Sequence, residues 1–379
     1  MKTTILSIET SCDETAVAVL ECNGGIESPT FQLKGNALYS QAKKHAEFGG
    51  VYPSLAKREH SQNLIPLLSK ALKQAELETK GSTTYNSDEI SGILEREEAL
   101  LKALNTYIPS ISRPDIDAIA VTVGPGLEPA LWVGINLARA LSTIWDIPRI
   151  AVNHLEGHMV SVLAEEKNSL QFPALGFVVS GGHTELVCIE KWFEYETIGR
   201  TRDDAVGEAF DKVARMLNLP YPGGPEISKW AQEARENNID SPIELPRPMI
   251  TSNDHDFSFS GLKTAVLYAL RDNEFSQKEK KGIAREFEEA VTDVITKKIS
   301  GAVEEYNPKS VIAAGGVMAN TYIRTRLEET LASHNIPLLL PPQKLATDNA
   351  VMIGMAGYLR YTSKEYITTD FSARGTWSL

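Results

Sequence analysis

Two histidines four residues apart, His154 and His158 in the stretch NHLEGH, raise the first chemical question. On a helix that spacing turns both imidazoles to one face, and such a pair suits a metal ion. A metallopeptidase carries its general base directly after the first histidine, as H-E-x-x-H. Here Glu156 follows at i+2, about 200° round the helix and off the metal face, so peptidase chemistry is not expected. Gly157 weakens a helix, which implies a neighbour needing close approach. A metal needs more ligands, and His183 in SGGHTE and Asp348 in ATDNAVM are candidates. Two histidines and a carboxylate would leave positions open for a substrate oxygen. Asp348 also reads as the N-cap of the helix that follows it.

Other polar groups sit where chemistry is plausible. Asp13 and Glu14 in SCDET place two carboxylates in a hairpin turn, able to hold a cation or accept a proton, although acidic residues also serve turns locally. Asp211 lies near the apolar face of a helix in DDAVGEAFDKVARML, where a buried carboxylate needs a partner such as a ribose hydroxyl. The serine-rich DFSFSGLKT reads as a capped helix start. Glycine turns recur at 124–126, 180–182, 222–225 and 315–316. A strand that ends in glycines at a helix start leaves N–H groups free to face an anion, so nucleotide or phosphate binding is expected.

The elements that must hold these groups are α/β. TILSIET (4–10) and AVAVLE (16–21) flank a polar turn and read as a hairpin. ALGFVVS (174–180) and TELVCIE (184–190) repeat the pattern about 170 residues later. Strands over 116–126 and 309–320 follow each hairpin. Two like halves predict a duplicated two-lobe fold with a central cleft. The expected division is 1–172, 173–346 and a C-terminal segment 347–379 returning to the first lobe. Residues 79–114 stand apart. Ile90, Ile93, Leu94, Leu100, Leu101 and Leu104 recur at helical spacing and predict one inserted helix packed on the N-terminal lobe.

The 379 residues suffice for two lobes, and three scattered cysteines imply no disulfide framework. No stretch approaches a membrane span, and the opening apolar run is too short for a secretory signal, so a cytoplasmic protein is expected. The net charge is −12. Lysine and arginine cluster at 43–44, 57–58 and 278–285, which read as solvated surface. A nucleic-acid substrate would therefore need a small local patch or a partner.

The motifs IETSCDETAVAV (8–19), HAEFGGVYPSLAKREH (45–60), NHLEGH (153–158), VVSGGHTEL (178–186), DDAVGEAFDKVARMLNLPYPGGP (203–225), AAGGVMAN (313–320) and ATDNAVMIG (346–354) together resemble the TsaD family. The resemblance implies an actin/Hsp70/sugar-kinase-like fold. It implies transfer of a threonylcarbamoyl group from threonylcarbamoyl-AMP to N6 of adenosine 37, in tRNAs reading codons that start with A. It implies one divalent metal, Fe2+ or else Zn2+, held by His154, His158 and Asp348. Val178, Val179, Ser180, Gly181, Gly182, Asp211, Gly224 and Asn320 match the family's substrate contacts, and Asp13 and Glu14 its acidic turn. The implied partners are the tRNA anticodon arm, an inactive TsaD-like paralogue, a P-loop ATPase and a separate synthase that makes the adenylate. Ser54 departs from the family's more usual glutamate. An ATP-dependent kinase or ATPase of the same superfamily, or a metallopeptidase, are the competing readings.

Overall fold

The computed structural model describes residues 2–165, 170–364 and 371–379. The chain forms two compact units, one of residues 1–164 with 348–378 and one of residues 165–347. The first unit opens with strands β1 (Thr3–Glu9), β2 (Glu14–Asn23) and β3 (Thr30–Ser40), then helices α1 (Ala42–Ala46), α2 (Pro53–Gln74), α3 (Ser87–Ile93) and α4 (Glu98–Tyr107). It continues with β4 (Ala118–Gly124), α5 (Glu128–Trp145), β5 (Arg149–Asn153) and α6 (His154–Val160). The second contains β6 (Ala174–Val179), β7 (Thr184–Lys191), β8 (Glu194–Arg200), α7 (Val206–Met216), α8 (Gly223–Glu236), α9 (Ser260–Asp272), α10 (Gln277–Tyr306), β9 (Ser310–Ala314), α11 (Thr321–Ser333) and β10 (Leu338–Leu339). Helix α12 (Ala350–Ser363) belongs to the first unit again.

Both sheets have the same plan. The first runs β3-β2-β1-β4-β5 and the second β8-β7-β6-β9-β10. In each, the first three strands are antiparallel and the last two add in parallel. The duplicated α/β architecture read from the two hairpins is therefore present. The third strands, β3 and β8, were not expected. Each is an edge strand with most side chains toward solvent, and β3 carries Lys34, Gly35 and Asn36, which erase its alternation. The central strands read clearly because both their faces are covered: Ile5, Leu6 and Ile8 of β1 are all fully buried.

Residues 79–114 form two helices, not the single one expected. Glu97 interrupts the apolar series, and its buried carboxylate accepts from Asn136 Nδ2 at 3.1 Å. Ile90, Leu94, Leu100 and Leu104 are fully buried in the first unit's core, as their spacing requires. The end of the chain packs there too, through Phe371, Ala373 and Trp377. No described helix is long and apolar enough to cross a membrane.

Helix α12 lies against the first sheet through its glycines. A Cβ on Gly354 would meet Ser7 Oγ at 3.0 Å, and one on Gly357 would collide with Ala120 Cβ. Ser7 Oγ also donates to the Ala350 carbonyl at 2.6 Å, fixing the helix start. Replacing Gly357 with valine should overpack this seam and cost about 1–3 kcal/mol, seen as a lower denaturant midpoint.

Candidate functional site

The first unit gathers three of the expected residues at one point. Asn153 ends β5 and caps α6, its Oδ1 accepting from Leu155 N at 2.8 Å. That cap starts the helix at His154, so His154 and His158 share a face and their rings meet edge-to-face with centroids 4.7 Å apart. Their Nε2 atoms are 3.2 Å apart. Asp348 Oδ1 lies 3.4 Å from His154 Nε2 and 3.1 Å from His158 Nε2. Among the described residues this is the one set of three such side chains whose donor atoms all lie within 4.8 Å of one another. His183 is not in it. It closes the turn between β6 and β7, its amide donating to Ser180 Oγ at 3.2 Å.

Asp348 is free for this role because it is not the helix cap. Asn349 caps α12, accepting from Met352 N at 3.0 Å, which corrects the reading of Asp348 as the N-cap. A close fit of two helices brings it to the histidines. A Cβ on Gly157 would come 3.0 Å from Ile353 Cδ1 of α12, so α6 has no side chain there for the reason its sequence implied. Arg360 of α12 donates to both carboxylate oxygens of the fully buried Glu156, at 2.7 and 2.6 Å. Glu156 is thus held by an ion pair and does not act as a peptidase base.

The sequence reading missed Glu9. This fully buried carboxylate accepts from Ser11 N and Thr122 Oγ1, both at 2.5 Å, and sits 3.1 Å from His154 Nδ1. With Nδ1–H donated to Glu9, loss of the other proton would leave the lone pair of His154 on Nε2, facing the triad. Burial alone would depress His154, but the Asp348 and Glu9 charges raise it well above the usual histidine value. His158 goes the other way, lowered by burial and by its neighbour His154, and its buried Nδ1 has no hydrogen-bond partner among the described residues.

The acidic turn stands beside this group. Glu14 is the first residue of β2 and accepts from Ser40 Oγ at 3.0 Å. Burial, with the charges of Asp13 and Asp348, pushes Glu14 up to about 9. The turn is held from behind by two fully buried residues: the His60 side chain, whose Nε2 is 3.0 Å from the Cys12 carbonyl, and the Gln41 backbone amide, which donates to the Asp13 carbonyl at 2.9 Å.

In the second unit, Val178 and Val179 are fully buried strand residues, so only their backbones can face a ligand. Ser180 spends its amide on the His183 carbonyl at 2.9 Å. Gly181 and Gly182 are exposed, with open space where a Cβ would be. Gly207, which sequence reading passed over, lets α7 abut this turn: a Cβ there would sit 2.7 Å from Gly181 Cα. Asp211 Oδ1 accepts from Gly223 N at 2.7 Å and so anchors the start of α8. The glycine that packing requires in that turn is Gly223, against Ala214 and Asp211, whereas Gly224 borders open space. Asn320 caps α11 through Oδ1, and its Nδ2 donates to Ser228 Oγ and Glu288 Oε1, both at 2.6 Å. Its side chain is therefore fully engaged within the protein.

Two expectations change. The turn at 124–126 is not an anion site, because Gly126 N donates to the Gly375 carbonyl at 3.1 Å and Leu127 N to the Ser11 carbonyl at 2.7 Å. The DFSFSGLKT start is capped from elsewhere in the chain. Asp203 takes Phe259 N at 2.8 Å and Ser260 N at 3.1 Å, together with the hydroxyls of Ser258 and Ser260. Those hydroxyl and amide donors outweigh burial and hold Asp203 below the usual carboxylate range.

Removing Arg360 should be costly where removing both partners is not. Arg360→Met takes both guanidinium hydrogen bonds from the buried Glu156 carboxylate and should lose about 3–5 kcal/mol, while Arg360→Met with Glu156→Leu should recover most of it. Equilibrium urea unfolding of the two variants checks this.

Comparison with known proteins bears on the family. The sequence model described as TsaD, tRNA N6-adenosine threonylcarbamoyltransferase, matches residues 32–83 and 97–355. A tRNA N6-adenosine threonylcarbamoyltransferase of Persephonella marina is 42% identical over 374 residues, covering 98% of this chain and 94% of that relative. One from Bacillus cereus is 42% identical over 375 residues, covering 98% and 95%. Among solved structures, full-length HypF in its phosphate- and nucleotide-bound form aligns with a TM-score of 0.54 at 12% identity, over 96% of this chain and 46% of that one. That last likeness bears on the fold alone.

Proposed function

The chain belongs to the TsaD family of tRNA N6-adenosine threonylcarbamoyltransferases, and from that premise we propose that it works as a metal-dependent acyltransferase on adenosine 37, with threonylcarbamoyl-AMP as donor. The convergence of His154 Nε2, His158 Nε2 and Asp348 Oδ1 at separations of 3.1–3.4 Å carries the metal reading. Donor atoms bound to one ion at about 2.0–2.2 Å lie roughly 2.9–3.5 Å apart, so the triangle has the right size. Glu9 supplies the outer carboxylate that a ligating histidine ordinarily has. The carboxylates crowded here, whose charges add to burial in raising Glu14, also favour a cation. Two imidazoles with one carboxylate suit Fe2+ or Zn2+.

In the reaction, N6 of adenosine bonds to the carbamoyl carbon, the bond from that carbon to the phosphate oxygen breaks, and AMP leaves with its electron pair. The amine is a weak nucleophile and AMP a good leaving group, so positioning and charge stabilisation carry most of the catalysis. A bound metal would supply Lewis-acid polarisation of a donor oxygen. The chain's own residues do the rest. Glu9 holds His154 in one tautomer. The exposed Gly181 and Gly182 amides offer hydrogen bonds to the donor's adenylate. Burial and the charges of Asp13 and Asp348 push Glu14 up to about 9, which makes it the less available acceptor, so Asp13 is assigned to take the amine proton. Asn320 serves by holding α11 against α8 and α10. The net charge of −12 gives the polyanionic tRNA little general attraction, which supports dependence on an inactive TsaD-like paralogue and a P-loop ATPase, with a separate synthase delivering the adenylate.

The test is direct. Purified protein, threonylcarbamoyl-AMP and unmodified tRNA, with and without candidate partners, should yield threonylcarbamoyladenosine on nucleoside mass spectrometry. His154→Ala should abolish product and bound metal while leaving the circular dichroism spectrum intact; full metal occupancy in that variant would refute the triad. Glu9→Gln should weaken metal affinity about 10–100-fold in chelator competition. Asp13→Asn should lower kcat by about 10²–10⁴-fold, and Glu14→Gln by far less; the reverse order would reassign the proton acceptor.

A further inference from the structure

Residues 371–377 lie against the first unit, and no step of the proposed reaction uses them. Phe371, Ala373 and Trp377 pack onto the core there. The Phe371 carbonyl accepts from Arg139 Nη2, and the Arg149 guanidinium stands 5.6 Å from the centre of the Phe371 ring. Between the two aromatic anchors the contact is main chain to main chain. Arg374 N donates to the Val123 carbonyl at 2.7 Å, and the Gly375 carbonyl accepts from Gly126 N at 3.1 Å. An aromatic anchor at each end and main-chain bonds in the middle make this segment a strap.

The strap bears on one place, the turn between β4 and α5. A Cβ on Gly124 would collide with the Arg374 carbonyl oxygen, so a glycine there admits the strap. On its other side the same turn presses on Ser11. A Cβ on Gly126 would lie 2.6 Å from the Ser11 carbonyl oxygen and 2.8 Å from Ser11 Cβ, and Leu127 N donates to that carbonyl at 2.7 Å. The turn is therefore clamped between the strap and Ser11. In the second unit the matching strand, β9, also runs into glycines, but a Cβ on Gly316 would meet nothing within 4 Å. The duplicated frame does not by itself call for a cover at this turn.

Ser11 is where the turn meets the chemistry. Its amide donates to Glu9 Oε1 at 2.5 Å, and its Oγ lies 3.3 Å from His154 Nδ1. Glu9 Oε2 is itself 3.1 Å from His154 Nδ1. Ser11, Glu9 and His154 are all buried, so a shift of Ser11 is taken up by the other two and not by solvent.

We infer that residues 371–377 are a positioning strap for the histidine site: through the 124–127 turn they fix Ser11, and through Ser11 the Glu9 carboxylate that orients His154. Outer partners of a ligating histidine set its affinity for metal, and small misplacements of a reacting group are costly in rate. The consequence for catalysis rests on the metal reading, whereas the linkage itself is a property of the metal-free chain.

Two substitutions in the full-length chain separate main chain from side chain. Arg374→Pro removes the amide that bonds Val123 and leaves Phe371 and Trp377 in place, while Arg374→Ala keeps that amide and removes only a side chain lying over the Trp377 ring. Hydrogen exchange of the metal-free proteins, followed by mass spectrometry, should be faster over 9–15 and 123–128 in Arg374→Pro, with wild-type protection over 174–190. Zn2+ affinity in chelator competition should fall about tenfold. In the transfer assay kcat should fall by up to about 10²-fold with KM for threonylcarbamoyl-AMP unchanged. Trp377→Ala, which loosens the far anchor, should move the same readouts in the same direction, and Arg374→Ala should keep wild-type exchange and affinity. Wild-type exchange over 9–15 in Arg374→Pro would overturn the inference. So would a lower urea midpoint with metal affinity and kcat unchanged, the result for a strap that only stabilises the fold, or a gain in activity, the result for a strap that covers the site. A wild type that binds no Zn2+, with exchange altered as expected in Arg374→Pro, would refute the metal reading and still bear out the linkage.

Discussion

The buried ion pair between Glu156 and Arg360 is the contact on which the first unit's chemistry depends. It joins α6 to α12, two helices almost 200 residues apart in the chain, and it is directional, because a planar guanidinium meets both oxygens of one carboxylate. Gly157 lets α6 come close enough to α12 for the pair to form, and the glycines of α12 seat that helix on the first sheet. With α12 in that place, Asp348 just ahead of it has one position available, and that position is against the two histidines. The ion pair faces away from the histidine side of α6, so it sets the geometry without competing for those side chains.

The two units show how one topology serves opposite charges. In both, the first two strands form a hairpin, and the residues of its turn decide what the unit can hold. SCDET gives the first unit two carboxylates above a layer of buried hydrogen-bonding side chains. SGGH gives the second a turn with exposed glycine amides abutted by the start of α7. The first arrangement calls for a cation and a proton donor. The second calls for an anion or a polar ligand oxygen. The duplication repeats the frame, and a handful of turn residues specialise each copy.

Many of the polar residues near these turns spend their bonding capacity on the protein. Asp203 closes the start of α9, and Asp204 binds Lys212 at 2.8 Å and Lys263 at 3.0 Å. Asn320 uses its oxygen as a cap and its amide protons on Ser228 and Glu288. Such groups hold the backbone of the turns in place. A residue type reveals what it can bond but not with what.

What the sequence determined by itself follows from local physics. The period-two apolar runs on either side of polar turns specified the paired hairpins, the i, i+4 histidines specified one helix face, and the i+2 glutamate excluded the peptidase arrangement. Asp348, a candidate from its own sequence and from the family motifs, does meet the two histidines, and Asp13 and Glu14 do share one turn. What only the tertiary structure decided are relations between distant segments: the edge strands β3 and β8, whose solvent-facing residues carry no pattern; the break between α3 and α4, made by a buried glutamate reaching α5; the transfer of the α12 cap to Asn349; and Glu9, an unremarkable strand residue until His154 arrives beside it. Spacing encodes neighbours within a helix or strand, because backbone geometry repeats. It does not encode which side chain will meet another across a packed core, because that depends on how whole elements fit together.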